Sequence, residues 1–327
     1  GTGGRCSGLI QEVLRQGHHV IALCNVDRPQ LERAAKLVAD TAGKDQPAAK
    51  QPALYEDYRK LLETEKSLDA VLVATGSRWH APLCVAFMKA GKHVFCEKPL
   101  VRKIAEAREL IELVPQCKVA TQHGTQGGSG SAFRRSIEVI QAGLLGQIRQ
   151  VHLWCDGYGR FPASHDRPPG EDPVPAGLNW DFWLGPSPWR PFKLNTYHPG
   201  CLRFQNWFDL CNGMLAGGWG ESGVMKLKDD KGWRGVLDHE AAKLVPVTLP
   251  RAPGDNHMLE WLQACTGGPP TFTPFDIGAR AAAAYLPGML SLRLGRPIEW
   301  DGVNMKAKGV PEADVLIQKN YRTMWLM

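Results

Sequence analysis

The feature that most constrains the fold is a regular alternation of short apolar runs with helical patterns across residues 69–122. Runs at 69–74, 93–96 and 118–122 read as buried strands, and the intervening segments 81–90 and 104–113 read as helices. Strands alternating with helices imply right-handed crossovers, and those build a parallel sheet covered on both faces. Upstream, Leu9, Ile10, Val13 and Leu14 recur at helical spacing within 7–15, Gly17 stops that helix, and 19–26 reads as another buried strand. Helices are expected at 31–38 and 55–62, with a surface loop across 41–52. The fold class is therefore α/β, with a doubly wound parallel sheet of Rossmann type over residues 1–124.

A chain of 327 residues usually divides into domains, and the texture changes after Gly124. A helix at 132–142 and an alternating strand at 148–155 are followed by a segment rich in Pro, Gly and Trp at 157–207. Such a segment cannot be a regular helix or a central strand, so it wraps a surface or lines a pocket. Residues 125–327 are assigned to a second, substrate-binding domain.

A Gly-x-Gly turn opening a helix lets the backbone approach a pyrophosphate, and the helix N-terminus supplies oriented N–H donors. Gly1, Gly3 and Gly4 occupy those places, followed by Arg5, while Cys6 stands where a third glycine is usual. A plain tight turn is the alternative reading of the glycines alone. Such a turn follows a strand, so one is expected before Gly1, with the native N-terminus upstream. The strand ending Cys24-Asn25-Val26-Asp27 carries Asn25 where an acid normally holds the adenosine ribose. The amide or Asp27 takes that role, which leaves NAD and NADP both open.

Lys98 follows the strand at 93–96 and therefore lies at the carboxyl edge of the sheet, where ligands bind in open α/β folds. Partly desolvated beside a nicotinamide, it could have its pKa lowered and serve as a general acid or base, oriented by Glu97. An exposed loop lysine is the competing reading. Pro99 fixes the turn, with a cis peptide cheap only before proline. Thr75, Trp79 and His80 follow the preceding strand, and His123, Gly124 and Gln126 the next, so three loops meet one rim. Each histidine taken singly reads equally well as a cap or loop residue.

Composition narrows the partners. The net charge of +6 comes from 39 basic and 33 acidic residues scattered without a stripe, so no nucleic-acid partner is indicated and an anionic small molecule fits equally well. Nine cysteines form no Cys-x-x-Cys pair, which points to reduced thiols in a cytoplasmic setting and to no metal site. No apolar stretch reaches the length of a membrane span.

Together, the opening Gly-Thr-Gly-Gly-Arg, Thr75 with Trp79-His80, Glu97-Lys98-Pro99, Gly124-Thr125-Gln126 and the segment Asn179-Trp180-Asp181 with Trp183-Leu184-Gly185-Pro186 resemble the Gfo/Idh/MocA oxidoreductases. Tyr197-His198-Pro199 and Asn320-Tyr321-Arg322 strengthen the likeness and resemble a subgroup common in planctomycetes and Bacteroidetes. The resemblance implies a Rossmann domain followed by an α+β domain with an open, mostly antiparallel sheet, bound NAD or NADP, and a homo-oligomer. It also implies hydride transfer at a sugar or cyclitol carbon, with Lys98 near the reacting hydroxyl and Tyr197, His198 and Arg203 lining the sugar pocket. Some members of this family cleave glycosides through transient oxidation.

One departure stands out. After Gly213-Met214-Leu215 the family continues Asp-Trp-Gly and then a histidine, where this chain has Gly218 and Ser222. The sequence runs on at Gly220-Glu221 as though roughly 60 to 100 residues were missing, about half of an ordinary domain. A catalytically silent sugar or dinucleotide sensor is the expectation if that loss is genuine. The resemblance also places a returning helix after 251–254, where His257 reads as a packing residue.

Overall fold

Strand β4 (His93–Cys96) is apolar on both faces, and that demands cover on both sides. In the computed structural model, which describes residues 1–42, 51–147, 168–198, 204, 207–211 and 224–322, it has that cover. β4 lies between β3 (Ala70–Val73) and β5 (Thr121–His123), all three parallel. Val94 and Cys96 turn to one face, packing with α4 (His80–Lys89), α5 (Ile104–Leu113) and α10 (Phe275–Leu294). Phe95 turns to the other, against Leu9 and Val13 of α1 (Gly4–Arg15) and Met258, Trp261 and Leu262 of α9 (His257–Cys265). Full burial of side chains of this size stabilises by about 1.5 to 3 kcal/mol each.

A second parallel pair, β1 (Ala22–Cys24) with β2 (Ala53–Tyr55), stands apart from the three-stranded sheet. α2 (Arg28–Ala42) follows β1, and α3 (Tyr58–Thr64) follows β2. Several expected bounds move for local reasons. α2 starts early because Asp27 accepts from the Gln30 N–H at 3.1 Å and caps it. Tyr55 ends a strand instead of opening a helix, because Asp57 caps α3 by accepting from the Arg59 N–H at 2.9 Å. The last strand shifts from 118–122 to Thr121–His123, since the Ala120 N–H is taken by the His93 ring at 2.8 Å. Residues 43–50 of the expected loop, and the strand at 148–155, lie outside the described residues.

Beyond residue 124 the described elements are mainly helical: α6 (Ser131–Gln141), α7 (Trp180–Leu184), α8 (Glu240–Lys243), α9, α10 and α11 (Pro311–Ile317). Two short antiparallel ladders accompany them, β6 (Val224–Met225) with β7 (Arg234–Gly235) and β8 (Trp300–Asp301) with β9 (Lys306–Ala307). The fold is thus mixed α/β, a parallel Rossmann sheet with separate antiparallel ladders. α9, α10 and α11 join the core of the parallel sheet, so the first 124 residues do not cover that sheet alone. No described helix is long and apolar enough to cross a membrane. Cys6, Cys24, Cys84, Cys96, Cys117 and Cys265 are in no disulfide.

α6 is tied down through Glu138, which is 1% exposed. It accepts from Arg135 at 2.9 Å, from Arg251 at 2.8 Å and from the Thr248 and Leu249 N–H groups at 2.9 and 2.8 Å. Arg135 in turn donates to the carbonyls of Ala242 and Val245. The Arg251 bond, aided by these donors, holds the Glu138 carboxyl well below the usual carboxylate range. Its stabilising contribution is therefore complete above the unfolded-chain value and is lost as pH falls through the lower folded one. Glu138→Gln leaves Arg135 buried without its charge partner, and the expected loss is roughly 3 to 5 kcal/mol in urea unfolding at neutral pH. A variant as stable as the parent would refute this account.

Candidate cofactor and active site

The parallel register sets the site. Val73, Cys96 and His123 are level across β3, β4 and β5, and the ladder continues one step past the strands. The Glu97 N–H donates to the Val73 carbonyl at 2.9 Å, and the Gly124 N–H to the Cys96 carbonyl at 2.7 Å. A side chain at position 124 would bring a Cβ to 2.9 Å from the Glu97 Cα, so glycine is required there. The loops after all three strands consequently open at one edge.

Glu97, 5% exposed, is the polar centre of that edge. It accepts from Arg5 Nε at 2.6 Å and from the Lys98 N–H at 3.3 Å. Gln126 closes the cluster, its amide oxygen accepting from Arg5 and its nitrogen donating to the Gly124 carbonyl at 3.1 Å. The Lys98–Pro99 peptide is cis. His80 sits between two loops, with Nδ1 2.7 Å from the Pro99 carbonyl and Nε2 3.1 Å from the Thr75 carbonyl. Burial pulls its pKa down, so the ring is neutral, and one nitrogen donates, Nδ1 at the shorter contact. His80 thereby fixes the Lys98-Pro99 turn through the Pro99 carbonyl.

Gly1 to Cys6 lie at the same edge. No side chain caps α1 at Gly3, so the first-turn N–H groups open toward the cavity, an arrangement that fits an anion such as a dinucleotide pyrophosphate. Cys6, 5% exposed, packs with Ile10, Leu23 and Leu31 where a small residue is needed. Asn25 Nδ2 donates to Thr2 Oγ1 at 2.8 Å, which fixes the glycine turn. Asp27 accepts from Gln30 Nε2 at 2.9 Å as well as from His198 Nε2 at 2.8 Å. Burial lowers the His198 pKa against the opposing pull of Asp27.

These groups border one cavity of about 1120 Å³. Part of this volume is an apolar gap between β1 and β3, which no described strand fills, lined by residues such as Leu23 and Leu72. Among its lining residues are Gly1, Gly3, Gly4, Arg5, Asn25, Asp27, Thr75, Trp79, His80, Glu97, Lys98, Gln126 and His198. Twelve positions singled out as cofactor contacts therefore converge.

Tyr197 does not join them. It is 2% exposed and packs at 4.7 Å between ring centroids against Trp207, inside an aromatic core with Trp180, Trp183 and Phe192. Expecting it on a sugar pocket overlooked that these aromatics satisfy one another. Arg203, Gly218, Ser222 and the Gly220-Glu221 junction lie outside the described residues. The motif from Asn179 to Pro186 has a structural role: Asn179 caps α7, and Gly185, at φ 54°, leaves room for the Trp79 ring, which a Cβ would meet at 2.3 Å. Arg322 binds Asp181 and the Gly185 carbonyl, and Tyr321 donates to Glu106 at 2.8 Å, so the tail motif anchors this segment. Sequence reasoning did not single out Arg78, which is 2% exposed at the cavity edge. The run Ser77-Arg78-Trp79 gave it no apolar periodicity to betray its burial.

A family model described as an oxidoreductase family with an NAD-binding Rossmann fold matches residues 1–125. The chain is 31% identical over 206 residues to a glycosyl hydrolase family 109 protein of Stenotrophomonas maltophilia, covering 61% of this chain and 42% of that protein. It is 34% identical over 99 residues to a myo-inositol 2-dehydrogenase of Thermotoga maritima, covering 30% of this chain and 29% of that one. A solved structure of a probable dehydrogenase from Thermotoga maritima aligns at 28% identity with a TM-score of 0.35, over 42% of this chain and 39% of that chain. The chain thus spans less than half the length of the curated relatives named here.

His257 behaves as a packing and bonding residue behind the site. Its Nε2 faces the His123 carbonyl at 3.0 Å, while Nδ1 accepts from Ser129 Oγ at 2.6 Å and Gln122 Nε2 at 2.9 Å. Burial pushes its pKa down to about 4, and that of His123 to about 3. An unfolded chain takes up these protons near pH 6.5, and the folded one only well below that. Stability is therefore complete above that pH and declines as pH falls toward 4, by about 1.4 kcal/mol per pH unit for His257. Denaturant titrations should show this slope, and His257→Gln should make it shallower; a flat parent profile across that range would sink the prediction.

Proposed function

Because residues 1–125 match an oxidoreductase family with an NAD-binding Rossmann fold, we propose that the chain is a Gfo/Idh/MocA-type oxidoreductase that transfers hydride between a nicotinamide dinucleotide and a hydroxyl-bearing carbohydrate or cyclitol carbon. The observation that carries this reading is Lys98 at the rim of the one cavity onto which the uncapped start of α1 also opens. In this reading residues 1–124 hold the dinucleotide and residues 125–327 complete the substrate side. Gly1, Gly3, Gly4 and Arg5 take the pyrophosphate, Asn25 and Asp27 the adenosine ribose, and Thr75, Trp79, His80, Glu97 and Gln126 border the nicotinamide half. His198 and Arg203 border the substrate.

A bound nicotinamide supplies the two-electron acceptor or donor for the hydride. Lys98 Nζ takes the proton that leaves the substrate hydroxyl as the carbonyl forms, and returns it in the reverse direction. Glu97 holds the Lys98 backbone through its N–H, and His80 holds the following turn through the Pro99 carbonyl. Lys98 is thus presented by a turn fixed on both sides.

A second reading, glycoside cleavage assisted by transient oxidation, is favoured by the names of two relatives. One is the glycosyl hydrolase family 109 protein above. The other, at 29% identity over 168 residues, is an alpha-N-acetylgalactosaminidase of Tannerella forsythia. The readings separate by stoichiometry: net oxidation consumes one dinucleotide per substrate, whereas cleavage needs it without net reduction.

The test is purified chain with NAD or NADP and a panel of sugars, cyclitols and aryl glycosides, followed at the reduced-nicotinamide band and by aglycone release. Lys98→Met is expected to lower turnover by roughly 10²- to 10⁴-fold in a chain that still binds the dinucleotide. Turnover equal to the parent's would remove Lys98 from the mechanism, and a parent that neither binds dinucleotide nor turns over would remove the function.

A further inference from the structure

Arg78 is a guanidinium buried to 2% exposure without a carboxylate partner among the described residues. Its Nε donates to the Trp183 carbonyl at 2.6 Å, and its Cζ lies 3.7 Å from the Trp183 ring centroid and 5.5 Å from that of Phe204. Nη1 is buried and has no hydrogen-bond partner. The surrounding charge makes this worse. Arg102 and Arg190 both lie near enough to repel it. Burial foremost, and then these neighbours, push the Arg78 pKa down.

Burying an unpaired charge is among the costliest arrangements a protein can hold, and an oxyanion that completes the pair offsets it. Arg78 lines the cavity beside Gly76, Trp183 and His198. Gly76 is what lets it lie there: a Cβ at that position would come within 2.2 Å of Nη1. A planar guanidinium stacked on an indole, with one edge fixed and another lacking an acceptor, suits a phosphate or carboxylate.

We propose that Arg78 is the seat for an oxyanion of the ligand bound in this cavity, a phosphoryl or carboxylate group held between Gly76, Trp183 and His198. This deepens the function proposed above and rests on that cavity being the ligand site, but it does not depend on turnover. Two sources carry such a group: the phosphates of the dinucleotide, or an acidic sugar.

The experiment is equilibrium binding by calorimetry and tryptophan fluorescence on the full chain, with NAD, inorganic phosphate, glucuronate and glucose as probes. For parent and Arg78→Gln, the expected result is a loss of roughly 10- to 100-fold in affinity for the anionic probe, with glucose unaffected. Loss for NAD and inorganic phosphate assigns the seat to the dinucleotide; loss confined to glucuronate assigns it to an acidic substrate. Either supports the proposal. Should Arg78→Gln fail to fold, Gly76→Ala displaces the guanidinium while keeping its charge, at a position whose backbone is extended (φ −69°, ψ 143°) and accepts alanine. Unchanged affinity for every anionic probe in a folded variant overturns the proposal. Because binding is read without chemistry, a chain that binds these anions but never oxidises a sugar would fail the proposed function alone.

Discussion

The hydrogen-bond ladder that continues past β3, β4 and β5 is the constraint on which the site depends. Parallel strands in register end level, so the residues after Val73, Cys96 and His123 must leave the sheet side by side. The Glu97 and Gly124 N–H groups extend the ladder by one further bond each. That extension draws the loops so close that only glycine fits opposite the Glu97 Cα. Glu97 is then too buried to remain unpaired, and Arg5 from the glycine turn supplies its partner. The cofactor turn and the Lys98 turn are thus joined by a single carboxylate.

A second layer secures what the ladder positions. His80 donates from Nδ1 to the Pro99 carbonyl and lies with Nε2 3.1 Å from the Thr75 carbonyl, so the loop that carries it is fastened to the Lys98-Pro99 turn as well as to the sheet. Trp79, next in sequence, is held by its Nε1 donating to the Phe182 carbonyl at 2.9 Å, and its ring fills the space over Gly185. Through that contact the segment around α7, with its tail anchor Arg322, becomes a wall of the same site.

The elements most legible in the sequence were those whose physics is local or periodic. β4 and α5 fall where the apolar spacing predicts, because burial on both faces or on one helical stripe leaves a direct imprint on residue order. The rim residues were legible for the same reason, since a strand end fixes its own loop. β2 was not: three residues carry too little periodicity, and the Asp57 cap that separates Tyr55 from α3 reads as one more surface charge. Arg78 and Tyr197 fail in opposite ways. An arginine reads as solvated and a tyrosine before a histidine reads as a sugar contact, yet burial of each is set by aromatic partners more than a hundred residues away for Arg78 and within a single cluster for Tyr197. Non-local packing of this kind leaves no mark at the position it governs.

Asp27 shows how the two regions of chain meet without exhausting the site. An ionised carboxylate offers about four acceptor positions. At Asp27 the Gln30 N–H, Gln30 Nε2 and His198 Nε2 take three of them. The cap on α2 uses one of these, and the link to His198 another, so the same side chain starts a helix and holds a distant segment over the cavity. One acceptor position is left for a hydroxyl of the ligand. Should Asp27 take a ribose hydroxyl, as proposed above, that contact needs no existing bond to break, and the link to His198 is kept.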